Sequence, residues 1–121
     1  MLFDTTQLAL ERAISGASVR QQALAANIAN ADTPGYQRVD VDFHGALAAA
    51  MGQGANADGA LSQLSFAPQV DRSAGAVRAD GSTVDIDSES AKLAANALDQ
   101  QAAVQVAQAR IHILESAIGG R

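Results

Sequence analysis

The sequence predicts a mainly α-helical protein, in which long N- and C-terminal helices pair as an antiparallel coiled coil around a small insert rich in loops and β structure. Apolar residues recur at alternating steps of four and three in residues 3–31 and again in residues 93–118. The segment Thr33-Pro34-Gly35 ends the first pattern, and residues 52–82 are rich in Gly, Ala, Ser and Asp. These observations divide the chain into an N-terminal helix (1–33), an extended arm and insert (34–83) and a C-terminal helix (84–121).

The composition limits the core that this chain can build alone. The chain has 121 residues, of which 48% are hydrophobic, but 28 of those hydrophobic residues are alanine. Alanine buries little area compared with Leu, Ile or Phe, so the stated apolar content overstates the core that it can form. A helix-rich protein that depends on association with other chains is the expectation.

The charge and the cysteine content exclude several functional classes. The formal net charge is −5 and the chain has one lysine, Lys92, which argues against nucleic-acid binding. Cysteine is absent, which excludes disulfides and thiolate metal sites. No apolar run approaches the ~20 residues that a membrane-spanning helix needs. The N-terminus has neither a basic segment nor an apolar one, so we expect no cleaved signal peptide and no membrane insertion.

The first helix has a predicted start and a narrow apolar face. Asp4 is a suitable N-cap, with Gln7 three residues later and Phe3 placed to pack on Leu8. Gly16 in the interior costs ~1 kcal/mol relative to alanine. The pattern continues to about Ala31. Its heptad seam, meaning the positions at alternating steps of four and three, consists of Phe3, Gln7, Leu10, Ile14, Ala17, Gln21, Leu24, Ile28 and Ala31.

The middle of the chain mixes turn, strand and loop signals. Pro34 ends the helix, and Pro34-Gly35 suits the centre of a type II turn, with the glycine at positive φ. Val39, Val41 and Phe43 then alternate with polar residues, which predicts a strand or extended arm. Residues 44–51 have the composition of a short helix. Residues 52–82 are expected to be a loop-rich insert with one hairpin.

The second helix resembles the first in length and spacing. Asp85 or Asp87 can cap its start, and Gly119-Gly120 is expected to end it. Two helices of similar length predict an antiparallel pair that leaves seam surface free for other chains. The second seam consists of Leu93, Ala97, Gln100, Val104, Ala107, Ile111, Leu114 and Ile118.

The sequence contains no constellation typical of a catalytic or metal site. His44 and His112 are far apart and lack a nearby acidic ligand at metal-binding spacing, so both are expected at the surface. The acidic pairs Asp40/Asp42 and Asp85/Asp87 are interpreted as solvated charge. No glycine-rich phosphate loop or nucleophile motif is present. We therefore predict no enzyme activity, no cofactor and no metal.

Two asparagines near the end of the first helix need an explanation, because asparagine is a poor helix former. Asn27 and Asn30 share one side of the helix at i,i+3. Termination of the helix by side-chain hydrogen bonds accounts for Asn30 well and for Asn27 less well. A buried amide contact between helices of different subunits would account for both.

The run from Leu24 to Tyr36 resembles the N-terminal signature of the bacterial flagellar rod, hook and filament-associated axial proteins, A-N-x-A-N-x-x-T-x-G-Y. With residues 39–43 it is most similar to the proximal rod members of that family. Residues 80–87 followed by Glu89 resemble the family's D-G-N-x-V-D-x-x-x-E segment. Ser82 stands where the family usually has Asn, and Gln100 stands near the place of a family Tyr.

This resemblance implies a non-enzymatic structural subunit of the flagellar basal-body rod that polymerises through its terminal helices near the membrane ring. It implies export by the flagellar type III apparatus without a cleaved signal peptide, and assembly in the periplasmic space. The implied partners are further copies of the chain, other rod proteins, the adaptor between rod and membrane ring (FliE type) and the export apparatus. The implied assembly signature consists of Asn27, Asn30, Thr33, Pro34, Gly35 and Tyr36.

Two alternatives remain at this point. A neighbouring proximal rod protein shares much of the signature, and a small helical secretion chaperone or adaptor would also be rich in amphipathic helices.

Overall fold

A computed structural model describes residues 4–73, 75 and 77–120. It confirms the prediction of a mainly helical chain with long N- and C-terminal helices and a small β element. The helices are α1 (Thr5–Ala29), α2 (Phe43–Met51), α3 (Ala57–Gln63) and α4 (Ile86–Ile118), and a 3₁₀ turn spans Gly54–Asn56. The strands β1 (Val39–Asp40) and β2 (Gln69–Val70) form an antiparallel pair, with Val39 opposite Val70 and Asp40 opposite Gln69.

Helix α1 begins as predicted and ends two residues early. The Asp4 side chain accepts a hydrogen bond from the Gln7 amide at 2.9 Å, as an N-cap does. The Gln7 side chain bonds Glu11 at 3.4 Å rather than reaching back to the cap. The helix ends at Ala29, within two residues of the predicted end at about Ala31. The predicted packing of Phe3 lies outside the described residues.

The turn after α1 has the predicted type, but the strand that follows is shorter than predicted. Gly35 has φ 74°, and the Tyr36 amide donates to the Thr33 carbonyl at 3.2 Å, as in a type II turn. Only Val39 and Asp40 form a strand. Phe43 starts α2 instead of extending that strand, because Asp42 caps the helix by accepting from the Gly45 amide at 3.1 Å.

The insert is more helical than the sequence indicated. The short helix expected over residues 44–51 is present as α2. The prediction of a loop-rich insert with its own hairpin is wrong, since α3 lies within it and β2 pairs with β1 outside it. Leu61 of α3 is completely buried, and its burial supplies the apolar contact that holds this helix in place.

The hydrophobic core lies between α1, α2, α3 and the arm. Phe43 packs edge-on against Phe66, with ring centroids 6.4 Å apart. Gly16 of α1 lies directly beneath Phe43, so close that an added Cβ would be 2.6 Å from the Cβ of Phe43. Glycine at this position in α1 therefore allows α2 to pack closely against it. The buried core residues are Ala17, Ala23, Val41, Phe43, Leu47, Ala50 and Leu61.

Helices α1 and α4 contact each other in reverse sequence order. Asn27 bonds Glu89, Gln21 bonds Asn96 and Asp4 bonds Arg110, so the two helices run in opposite directions. The buried and half-buried positions of α4 include residues spaced by four and three through these contacts. They are Glu89, Leu93, Asn96, Gln100, Ala103, Ala107, Arg110 and Leu114.

This contact side of α4 is rotated from the seam that the sequence predicts. At ~100° per residue, the predicted seam is displaced by about 50° around the helix axis. Leu93, Gln100, Ala107 and Leu114 belong to both sets and are half-buried, as is Val104 of the predicted seam. Ile111 is 46% exposed and Ile118 is 78% exposed.

Among the described residues, no helix has the length and apolar character needed to cross a membrane.

Candidate functional site

The buried amide of Asn27 lies at the junction where α1, the arm and α4 meet. Its Nδ2 donates to the Val39 carbonyl at 2.7 Å and to Glu89 Oε2 at 2.9 Å. Its Oδ1 accepts from the Val39 amide at 2.9 Å. The side chain thus pairs with β1 as a neighbouring strand would, and it also joins the arm to α4.

An amide contact between subunits is therefore not needed to explain Asn27. Its side chain is 0% exposed, and its bonding groups are used within the chain. Asn30 has a local role as the C-cap of α1, since its Nδ2 donates to the Ala26 carbonyl at 2.8 Å. The interpretation of Asn27 as a buried inter-helix contact is correct, but the contact is intramolecular.

Arg38 is the centre of a buried charge cluster that the sequence analysis missed. Its Nε donates to Glu89 Oε1 at 2.6 Å, and its NH2 donates to Asp40 Oδ2 at 3.1 Å. Its NH1 bonds Asp71, which follows β2. Arg20 of α1 completes the cluster by bonding Asp40 at 2.8 Å. Arg38 thereby ties the arm to β2 and α4, and Asp40 extends the link to α1.

The cluster favours the charged forms of Arg38 and Asp40. Burial acts to lower the pKa of Arg38, but hydrogen bonds with Glu89 and Asp40 outweigh it and raise that pKa above its ordinary value. Burial likewise acts to raise the pKa of Asp40, but hydrogen bonds from Arg20, the Val41 amide and Arg38 keep it below its ordinary value. The interpretation of Asp40 as a solvated charge is wrong, whereas Asp85 and Asp87 are exposed as expected.

The depressed pKa of Asp40 predicts acid-sensitive folding. A carboxyl group whose pKa is lower in the folded chain contributes stability above its unfolded pKa of ~3.9 and loses it as the pH falls through the folded value. We expect the free energy of unfolding to decrease below about pH 4, and Asp40→Asn to flatten part of that decrease. Urea unfolding at a series of pH values measures both. Asp32→Asn, at a carboxyl that is 93% exposed on its side chain, should leave the acid limb unchanged.

The remaining signature residues form the turn that redirects the chain. Thr33 bonds the side chain of Asn30 at 3.3 Å, and Pro34 and Gly35 are exposed at the tip of the turn. The Tyr36 hydroxyl lies 3.4 Å from Asn27 Oδ1. The structure therefore brings Asn27 and Tyr36 together on one side, and Asn30 and Thr33 on the other.

A second turn, residues 78–83, packs against this first turn. The Gly35 amide donates to the Asp80 carbonyl at 2.8 Å, and the Thr83 amide donates to the Tyr36 carbonyl at 3.0 Å. The Thr83 hydroxyl accepts from the Arg38 amide at 2.9 Å. The two segments that carry the family resemblance in the sequence are thus adjacent in space. We call residues 27–40, 71, 78–83 and 89 the junction.

The predicted helix-seam residues differ in their solvent exposure. Leu24 is fully buried. Leu10, Ile14, Ile28, Leu93, Val104 and Leu114 are half-buried, while Ile111 and Ile118 are exposed. The end of α4 therefore presents apolar side chains that α1 does not cover.

The junction is built for holding segments together, and nothing in its geometry is suited to catalysis. In residues 4–73, 75 and 77–120, no three His, Asp or Glu side chains are placed to hold a metal ion. His44 is exposed and lies 3.1 Å from Asp99. A groove of about 560 Å³, lined by Arg20, Asp40, Phe66 and Asp71 among others, is open to solvent. Within it, Arg20 is ion-paired with Asp40 and Asp71 with Arg38, while Asp42 caps α2.

Known proteins are similar in sequence to this chain over most of its length. The sequence model of a family described as "Flagella basal body rod protein" matches residues 8–37, which cover most of α1 and the first turn. The flagellar basal body rod protein FlgB of Salmonella typhimurium is 37% identical over 110 residues, covering 79% of this chain and 80% of that protein. The chain belongs to the FlgB family of flagellar basal body rod proteins.

Further FlgB relatives agree with this assignment. FlgB of Escherichia coli is 34% identical over 84% of this chain and 83% of its own length. FlgB of Aeromonas hydrophila is 33% identical over 89% of this chain and 88% of its own length. These relatives do not favour the alternatives, namely the related proximal rod protein FlgC or a helical secretion chaperone. The family is one of structural proteins rather than enzymes.

Proposed function

We propose that this chain is a structural subunit of the flagellar basal body rod and polymerises through its terminal helices to form the proximal rod near the membrane ring. Its membership of the FlgB family supports the assignment to the rod. The mode of assembly is supported by the distribution of apolar side chains on α4.

The observation that carries the proposal is an apolar stripe on the part of α4 that α1 leaves exposed. Leu98, Val106 and Ile113 lie on this stripe and are 66%, 50% and 67% exposed. The side that contacts α1 carries small or polar residues such as Asn96, with Leu93 and Leu114 as bulky apolar residues and half-buried Val104 beside them. A helix with apolar residues on all sides is normally surrounded by other helices. We call Leu98, Val106 and Ile113 the outer stripe.

We further propose that α1 and α4 form an antiparallel coiled coil and that neighbouring subunits extend it. Leu10, Ile14, Leu24 and Ile28 of α1 would pack with Leu93, Val104 and Leu114 of α4. Ile111 and Ile118, which α1 leaves exposed, and the outer stripe would pack against different neighbouring subunits, since Ile111 and Ile113 lie on opposite sides of the helix. The junction, including Asn27, Asn30, Thr33, Pro34, Gly35 and Tyr36, would fix the direction in which the arm leaves the helices.

The proposed partners are further copies of this chain, other rod proteins, the adaptor of the FliE type between rod and membrane ring, and the flagellar export apparatus. We propose that the chain reaches the periplasmic rod without a cleaved signal peptide. The net charge of −5 supports a protein partner rather than nucleic acid, and no membrane insertion is proposed.

The test places a charge on the outer stripe in cells that lack the chromosomal copy. Val106→Glu is expected to remove the chain from purified basal bodies and to abolish swimming, because burying an unpaired carboxylate between subunits is strongly unfavourable. The isolated variant should keep its helical circular dichroism and lose less than ~0.5 kcal/mol of stability, as surface substitutions usually do.

The matched control is Gln63→Glu, which adds the same charge at an exposed position of α3, away from the outer stripe. We expect this variant to assemble and swim. Normal rods and normal swimming with Val106→Glu would overturn the proposed role of the outer stripe.

A further inference from the structure

We propose that residues 65–70 bind an extended segment of a partner protein, which adds to β2 as a third strand and places a carboxylate near Arg72. This surface belongs to the insert and contains no residue of the outer stripe. The inference goes beyond the proposed role of the terminal helices and does not depend on it.

The register of the β1–β2 pair shows which backbone groups face outwards. The Asp71 amide donates to the Arg38 carbonyl at 3.0 Å, so these two residues form a hydrogen-bonded pair. Val39 and Val70, the next pair in the register, are therefore not bonded to each other, and their N–H and C=O groups point away from the sheet. Asn27 bonds both of these groups on Val39. Among the described residues, no hydrogen bond satisfies the corresponding groups of Val70.

The chain before β2 continues this open edge. Residues 64–68 form no helix, turn or bend, so they approach β2 in an extended conformation. Alternate residues of an extended chain present their backbone groups to the same edge, which places Phe66 and Pro68 in line with Val70. Pro68 has no amide to donate but retains its carbonyl. Edge strands are usually protected by charged side chains, whereas residues 65–70 carry none, so this edge suits the addition of a strand.

Two grooves meet at Val70, which is 46% exposed. One groove, of about 560 Å³, extends along the segment before β2 and includes Phe66. The other, of about 400 Å³, includes Arg72 and Val77, and Val77 is 65% exposed. A strand that carries apolar side chains would remove these exposed apolar groups from water.

The charge in the second groove indicates an acidic residue on the partner. Asp71, which also lines that groove, is ion-paired with Arg38. Arg72 is exposed and has no ion-pair partner in the part of the chain that the structure describes. A carboxylate beside Arg72 would complement this charge. The partner segment therefore combines alternating apolar side chains with an acidic residue at the end that lies near Arg72.

The test uses the full-length, isotope-labelled chain and a capped peptide of sequence EVTVTVT, whose acidic end lies near Arg72 in an antiparallel alignment. At millimolar peptide, we expect the amide signals of Phe66 and Val70 to shift in NMR spectra. Hydrogen exchange of the Val70 amide should slow at least about tenfold. The same peptide, N-methylated at the residues that face β2, cannot donate backbone hydrogen bonds and should cause neither change.

A second pair of measurements tests the charge. EVTVTVT should bind about fivefold more tightly than KVTVTVT, as expected for one exposed ion pair. In Arg72→Glu this preference should reverse. Gln53→Glu, which adds a negative charge at another exposed position of the insert, should leave the preference unchanged.

Unchanged exchange of the Val70 amide in the presence of EVTVTVT would overturn the proposed strand addition, as would equal binding of the N-methylated peptide. A preference for EVTVTVT that persists in Arg72→Glu would overturn the assignment of an acidic partner.

Discussion

Replacing Arg38 with methionine is expected to lower the free energy of unfolding by about 3–5 kcal/mol, the usual consequence of removing one partner from a buried ion pair. Glu89 is 1% exposed and would lose its charged partner, with only the Asn27 amide left to bond it. Asp71 would also lose its link to the arm. Urea unfolding followed by circular dichroism measures the loss, and trimethylamine N-oxide can be added if the variant is largely unfolded.

Two further variants separate the charge effect from a general loss of packing. The double variant Arg38→Met/Glu89→Met should recover much of the stability, since an apolar pair of similar volume often replaces a buried ion pair at little cost. Arg72→Met removes an exposed arginine from the same part of the chain and should change stability by less than ~0.5 kcal/mol. If the double variant were as unstable as Arg38→Met alone, the pairing with Glu89 would not be the cause.

The terminal helices were predictable because their signals are local. Apolar spacing located α1 and α4, and the caps Asp4 and Asp85 act at the predicted positions. The turn at Pro34 and Gly35 was also predictable, since proline and glycine have strong conformational preferences of their own. Each of these features depends on residues within one or two turns of the chain.

The charge cluster was not predictable because it joins distant segments. Arg38 and Glu89 are 51 positions apart, and Arg38 and Asp71 are 33 apart. In the sequence, Arg38 is one polar residue beside an alternating apolar pattern, which usually indicates solvent exposure. The only early signal for Glu89 was its place in a segment that resembles the family motif. The short helix α3 was missed for a similar reason, because it depends on the burial of Leu61 by other elements.

The predicted seam of α4 differs from its contact side because alanines lie on several sides of this helix and give no strong signal for one stripe. A straight α-helix drifts by ~20° per heptad relative to a 3.5-residue repeat, so several adjacent stripes satisfy the same spacing. The bulky residues Ile111 and Ile118 draw the predicted seam to one side. In the structure, α1 instead contacts Asn96 and Arg110, whose polar side chains do not mark a seam in a hydrophobicity pattern.

Gly16→Ala is expected to destabilise the chain by about 1–3 kcal/mol, the range for overpacking a close contact. Helix propensity predicts the opposite sign, because alanine in a helix interior is favoured over glycine by ~1 kcal/mol. The added Cβ would lie 2.6 Å from Cβ and 2.8 Å from Cγ of Phe43. These atoms are close to the backbone of α2 and cannot rotate away, so α2 must shift. Thermal and urea unfolding decide the sign.

A control variant and a double-mutant cycle test whether the contact with Phe43 causes the destabilisation by Gly16→Ala. Gly59 of α3 has no atom within 4 Å of an added Cβ, so Gly59→Ala should raise stability by up to ~1 kcal/mol. In a Phe43→Gly background, both the Cβ and the ring that limit space at Gly16 are absent, and Gly16→Ala should then cost less or become favourable. A destabilisation by Gly16→Ala that is the same in both backgrounds would show that Phe43 does not cause it. If Gly16→Ala stabilised the chain with Phe43 present, the contact between α1 and α2 would have room for an added methyl group.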